Sequence, residues 1–438
     1  MPDFRPFPAL RYSSEMDLAA VLSPPYDVLS EEEVRALWAR DPHNITRVDV
    51  PENGDYDHAA ELLWQWVEDG VLTSDADDTL SIYRLAFTDA TGSPREISGV
   101  LGGLAVVDDT AGVTDPGDMD RSDGEAGGEH DARSGVGDAG DLDRGGVSSP
   151  ARPTTVLPHE HTTPKAKTDR LDLTQATATN LSPVWGLSLA HGLTDELREP
   201  GALRGSVTID GVTHTVEKVA DPARIKRIRA IIAADDVLIA DGHHRYAISR
   251  TYRDEVRSAT GRRDTLAEHT LAFINELVED QLSIEAIHRL CSGISPEALR
   301  EALTRYFDVE PVERPTAATL GEMVRRGRLV VVWPDGKAEW LIAKPGAFDQ
   351  VRALDGAWLE AALAGVDAEV TYQHGLDEVM SRLASGGFTA AILIRPTSIE
   401  EIERTAREGL LMPPKSTFFT PKLLTGWVLR PTEPLPGQ

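Results

Sequence analysis

Apolar positions along this chain fall into blocks with two periods. Over Tyr56 to Glu68 the residues Ala59, Leu62, Leu63, Trp66 and Val67 recur at helical spacing, and Gly70 follows as a stop. Upstream, Ser30 is followed by Glu31, Glu32 and Glu33, which predicts an N-cap with a carboxylate three residues on. The helix it heads should run through Val34, Leu37 and Trp38. Leu80 to Phe87 and Ile97 to Val107 predict a hairpin of strands interrupted by an acidic stretch, with the fold resuming near Thr155. A strand, a loop, a helix and a strand are expected up to about residue 220, then a helix over Pro222 to Ala233 and an apolar strand at Val237-Leu238-Ile239-Ala240. A long helix should begin at His243, because Ile248, Tyr252 and Val256 form a stripe that can pack on that strand. Beyond it the pattern predicts a strand at Leu271 to Leu277 and a helix at Pro296 to Tyr306. Strands at Leu329 to Trp333 and Glu339 to Ile342, a helix near Leu354 to Leu363 and a closing strand at Ile392 to Arg395 complete it.

No internal repeat of fixed period is present, and strands and helices do not alternate as in a doubly wound sheet. The expected class is α+β. Four regions are expected: an N-terminal α+β region over 1–107, an acidic loop over 108–150, a core over 151–292 and a C-terminal α+β region over 293–438.

Charge sharpens this picture. The formal net charge of −28 argues against nucleic acid as a partner, since a phosphate backbone repels such a surface. Part of it is local: Asp108 to Arg144 carries 12 acidic and three basic residues with almost nothing able to build a core, which predicts a disordered, solvated loop. The acids there lack the regular positions and closing Glu of a calcium hand. No run reaches the apolar length of a membrane helix and no export signal opens the chain, so a cytoplasmic protein without membrane contact is expected. The single cysteine, Cys291, has no pairing partner or metal-site spacing and reads as a small buried apolar residue.

The most specific chemical signal is VLIADGHHRYA. An apolar strand delivers Asp241 to a turn, Gly242 permits close approach, and a helix start then presents backbone N–H groups. Together with His243, His244 and Arg245 this predicts a phosphate cradle, in which Arg245 offers a two-toothed grip and the histidines donate hydrogen bonds or titrate. Asp241 is placed to orient an attacking hydroxyl or to hold Mg²⁺. Zinc fits poorly, because adjacent helical histidines diverge by about 100° and no third ligand has recognisable spacing.

A second cluster, PHEHTTPKAKTDR, combines His159, Glu160 and Thr162 with Lys165, Lys167 and Arg170. Glu160 suits a general base, His159 and Thr162 suit substrate contacts, and the three cations suit phosphate. A third, MPPKSTFFTPK, offers Lys415, Ser416 and Thr417 as an anion grip, with Phe418 and Phe419 as core. Tyr26 and Asp27 sit in the turn SPPYD and complete the expected substrate contacts.

The segments SPPYDVLS, NITRVDVP, HEHTTPKAKTDRL, NLSPVWGL, IADGHHRYA, IHRL, RPTSIEEI and MPPKSTFFTPKLL occur in this order from Ser23 to Leu424. As a set they resemble a bacterial and archaeal family known as a domain of unknown function. The DGHHR segment in turn resembles the phosphate-binding turn of the ParB and sulfiredoxin-like fold, which includes kinases that phosphorylate free serine from ADP, ATP or pyrophosphate. That resemblance implies a ParB-like core over 151–292 and a kinase making O-phospho-L-serine with Mg²⁺. Asp241 and Glu160 would stand near the acceptor, either of them taking its proton, and Gly242 to Arg245 at the phosphates, with His243 counted among the catalytic residues. The chain departs from the pattern in its long acidic insertion and in IEAIHRL, which lacks a proline and a threonine before His288. A non-catalytic nucleotide-binding or DNA-responsive regulator, or a phosphate-ester hydrolase, would use the same cradle. Absence of a Walker loop leaves the donor open.

Overall fold

The computed structural model describes residues 1–89, 92–108, 155–158, 167–412 and 415–434, with the side chains of Lys167 and Thr168 left aside. The acidic stretch expected as a loop lies outside the described residues apart from Asp108.

Within these bounds the architecture is mixed α+β, built on two main sheets. The larger has nine strands. Its order is Val156–Pro158, Val237–Asp241, Val184–Ser188, His269–Glu276, Pro94–Ala105, Leu80–Thr88, Val212–Val219 and Ala202–Ile209, with Phe4–Arg5 pairing on Pro94–Ala105. Val237–Asp241 runs parallel to Val156–Pro158 and antiparallel to Val184–Ser188, so its four apolar residues are buried inside the sheet. An unbroken apolar run is what a strand covered on both faces requires. Close strand packing uses Gly186, where a Cβ would stand 2.5 Å from Ile274 Cδ1 and 2.8 Å from Val237 Cγ1.

The smaller sheet has six strands in the order Phe307–Val312, Ala338–Ala343, Leu329–Val332, Ala390–Leu393, Ile287–Ser292 and Glu369–His374. Cys291 is buried there, and burial pushes its thiol up to about 11, as suits an inert core residue.

Predicted helices are found where the apolar stripes place them, at Glu31–Arg40, Tyr56–Glu68, Pro222–Ile232, His243–Thr260, Pro296–Tyr306 and Asp355–Ala362. Ser30 caps the first with both halves of the capping box formed. The hairpin Leu80–Thr88 and Pro94–Ala105 is also present, with the acidic stretch following its second strand.

The expected division at 292/293 needs correction. Ile287–Ser292 already belongs to the smaller sheet, so the change of unit comes earlier. The final segment also leaves that unit: Phe419, Leu423, Leu424, Trp427, Val428 and Leu429 are buried in the large core together with Leu10, Tyr12 and Tyr83. Pairings of Leu10 with Leu429 and of Ser23 with Thr425 fasten this tail down. Among the described residues no helix is long and apolar enough to cross a membrane.

Candidate active site

The strand Val237–Asp241 hands over to the helix His243–Thr260 through one residue. Gly242 has φ +83°, a left-handed conformation that favours glycine, and a Cβ there would come within 3.0 Å of Arg245 Nε. The start of this helix carries the positive end of the helix dipole, which favours anions. The remainder of the helix is anchored: Tyr246, Ile248, Ser249, Tyr252 and Arg253 are buried, and Tyr246 Oη donates to Ala105 O at 3.0 Å.

Asp241 is the centre of an ion cluster. Its Oδ2 accepts from Arg245 Nη2 at 2.7 Å and its Oδ1 from Lys422 Nζ at 3.2 Å. Arg245 Nη1 donates to Pro183 O, and Lys422 Nζ also lies 4.6 Å from the centre of the Phe418 ring. Burial alone would raise the pKa of Asp241, but Lys422, Arg245 and His243 outweigh it and hold the carboxyl well below its ordinary range. Half-buried His243 and His244 open the helix beside this cluster.

A second wall faces Arg245. The Arg170 guanidinium carbon sits 3.4 Å from the centre of the Tyr26 ring, a cation–π contact of about 0.5–2 kcal/mol. Arg170 Nη1 donates to Asp49 Oδ1 at 3.0 Å and to Asp49 O. Burial raises the pKa of Tyr26 against the opposing pull of Arg245 and Arg170, and raises that of Asp49 against the same two cations. Arg245 itself is lowered by burial, yet Asp241, Asp27, Tyr26 and Asp49 carry it above its ordinary value. Tyr26, Asp49, Arg170, Ser182 and Arg245 line a cleft of about 450 Å³, its mouth included.

The structure thus gathers Tyr26, Asp27, Arg170 and the Asp241–Arg245 run from distant parts of the chain. Lys415 and Ser416 have their described backbone contacts elsewhere: Lys415 O accepts from Arg289 Nη2 at 3.4 Å, and Ser416 O from Thr397 Oγ1 at 2.9 Å. Ser416 lines a separate cleft with Arg289, Asp355 and Arg395. Thr417 joins it to Phe418. His159, Glu160, Thr162 and Lys165 lie outside the described residues, as does the side chain of Lys167.

Sequence reasoning missed Asp49 and Lys422 as site residues. Both stand in quoted segments, NITRVDVP and FFTPKLL, but a lone acid among valines and a lone lysine before leucines read as ordinary until folding brings them here. No group of three or more metal-ligating side chains occurs among the described residues. Both oxygens of Asp241 are held by cations, Oδ2 by Arg245 and Oδ1 by Lys422.

Residues 4–116 and 143–357 match the family model described as "Protein of unknown function (DUF1015)", well over half of the chain. The chain belongs to that family. No curated protein matches it. Solved structures similar to it include a conserved hypothetical protein from Pyrococcus furiosus, 12% identical with TM-score 0.33 over 60% of this chain and 87% of that one. A free serine kinase in complex with AMP is 14% identical, with TM-score 0.33 over 60% of this chain and 83% of that one. SbnI with a C-terminal truncation, from Staphylococcus aureus, is 14% identical, with TM-score 0.34 over 62% and 83%. Likeness of this degree bears on neither substrate nor mechanism.

Proposed function

We propose that this chain is a kinase with an alcohol acceptor, moving a phosphoryl group from ADP, ATP or pyrophosphate to the hydroxyl of free L-serine and releasing O-phospho-L-serine. The observation that carries the reading is the start of a long helix after left-handed Gly242, set beside the cations Arg245 and Lys422 and the ionised Asp241. Such a start offers oriented donors to the transferring oxygens without reorganisation, and positioning with electrostatics is most of what phosphoryl transfer asks of a protein. The ParB-like resemblance of DGHHR points the same way.

The roles divide by acidity. Asp241, held far toward its ionised form, is a weak proton acceptor but a firm anchor for the acceptor hydroxyl and for Lys422. Glu160 is assigned the proton of the serine hydroxyl as the new O–P bond forms and the donor P–O bond breaks. His243, His244 and the first helix amides receive the phosphate oxygens. Mg²⁺, brought with the donor, would neutralise charge on the phosphates.

The test incubates purified chain and Mg²⁺ with L-serine and each donor separately, following O-phosphoserine by ³¹P NMR. Product with at least one donor is expected; none with any donor removes the kinase reading.

A further inference from the structure

Three sequence segments meet at a second cleft, beside the smaller sheet. Arg289 of IHRL, Arg395, Thr397 and Ser398 of RPTSIEEI, and Ser416 of MPPKST line a volume of about 800 Å³, its mouth included. None of its lining residues borders the cleft beside Arg245.

Two guanidinium groups stand in its wall. Arg289 is 6% exposed; its Nη1 donates to Ile287 O, its Nη2 to Lys415 O at 3.4 Å, and its Cζ lies 4.5 Å from the centre of the Tyr372 ring. Those contacts are to uncharged groups, so they satisfy donors without cancelling the charge. Gly356 lines the same cleft, and a Cβ there would stand 3.3 Å from Arg289 Nη2, which puts this end of the guanidinium at the cleft wall. Arg395 keeps 24% of its side chain exposed and gives Nε and Nη2 to Asp355, leaving Nη1 outside that pair.

The carboxylates of the lining are already matched. Asp355 is held by Arg395, and Glu401 by Arg352 Nε at 2.5 Å and Arg404 Nη2 at 2.8 Å. Two helices begin in the lining, Asp355–Ala362 after Leu354 and Ile399–Glu408 after Ser398, and each brings the positive end of its dipole. Ser398 and Ser416 add hydroxyls. Planar guanidinium forks with hydroxyls beside them match a group that carries several charged oxygens.

We propose that this cleft is a second phosphate site, taking the phosphate group of a free ion or of a small ester between Arg289 and Arg395. It stands independently of the kinase reading, whose phosphates lie at Gly242.

The full chain is titrated calorimetrically at fixed ionic strength with inorganic phosphate, glycerol 3-phosphate and acetate. Val324, which lines this cleft and is 54% exposed, is replaced by Glu or by Lys, changes that leave the core untouched. Phosphate should bind about fivefold more weakly to Val324→Glu and about fivefold more tightly to Val324→Lys, the effect of one unit charge several ångströms away in a partly screened cleft. The same response should persist in a chain that also carries Gly242→Ala. Equal affinity in the two Val324 variants, phosphate bound no better than acetate, or no binding to wild type overturns the site. A phosphate affinity that answers to Gly242→Ala and not to Val324 places the anion in the cradle alone, which sinks this inference and leaves the kinase standing. The Val324 response without turnover from any donor does the reverse. Within a confirmed site, tighter binding of glycerol 3-phosphate marks an ester as the occupant, and tighter binding of inorganic phosphate the free ion.

Discussion

Asp241 shows how one residue's surroundings choose its task. With cations on both oxygens it is ionised at any working pH, which suits a fixed anchor and not a proton relay. Asp241→Asn keeps the shape and removes the charge, and is expected to lower kcat about 100-fold or more while circular dichroism stays unchanged. Because its folded-state pKa lies below the ordinary value of about 3.9, the carboxylate contributes stability above about pH 4 that is lost as pH falls through the folded value. Denaturation of the two proteins should therefore differ most near neutrality and converge in acid. His288 behaves in the same sense for another reason. It is buried, its Nδ1 accepts from Ile394 N at 3.2 Å, and burial lowers its pKa to about 4. Between pH 6.5 and about 4 the unfolded chain binds a proton that the folded chain refuses, so stability drops as pH falls across that window. The contribution at pH 5 is about 2 kcal/mol, and urea midpoints of His288→Gln should decline less between pH 7 and pH 5 than those of wild type. An equal decline in both proteins would show that His288 is not the group responsible.

At the scale of the element, the strand-to-helix turn depends on a conformation rather than on a side chain. Gly242→Ala would place a Cβ in the left-handed region, costing about 1–2 kcal/mol, and push on Arg245 Nε from 3.0 Å. Displacing Arg245 disturbs both its hold on Asp241 and its edge of the cleft that Tyr26, Asp49 and Arg170 also line. The expected outcome is a modest fall in the denaturation midpoint with a disproportionate loss of donor binding, read as an increase in donor KM. A variant with weakened folding and normal donor KM would argue against the cradle.

For the whole molecule, the notable feature is the return of the C-terminal segment from the smaller sheet to the large core. Lys422, which completes the Asp241 cluster, is held between buried Phe419 and the buried run from Leu423, so packing of the tail sets the charge at the site. Trp427 is 5% exposed and meets the Tyr83 ring edge-on at 6.2 Å. Trp427→Ala should cost about 3–5 kcal/mol in urea denaturation and lower turnover as well, since the same segment carries Lys422. Normal turnover in a folded Trp427→Ala chain would separate the tail from the chemistry.

Local order was written in local residues. The helix Tyr56–Glu68 follows from its apolar stripe, the cap at Ser30 from the acids behind it, and the turn at Gly242 from an apolar strand ending in Asp241 and Gly242. These are decided within one or two turns of chain, where period, capping and backbone freedom act. The strands Phe307–Val312 and Glu369–His374 were not legible, because edge positions tolerate the polar residues they carry. Nor was the partnership of Asp49 with Arg170, 121 residues apart, or that of Asp241 with Lys422, 181 apart. A lone charge in sequence has no direction and no neighbour. Only when tertiary packing excludes water around it does its pairing, or its want of a partner, become a large energy, and that energy makes these residues a site.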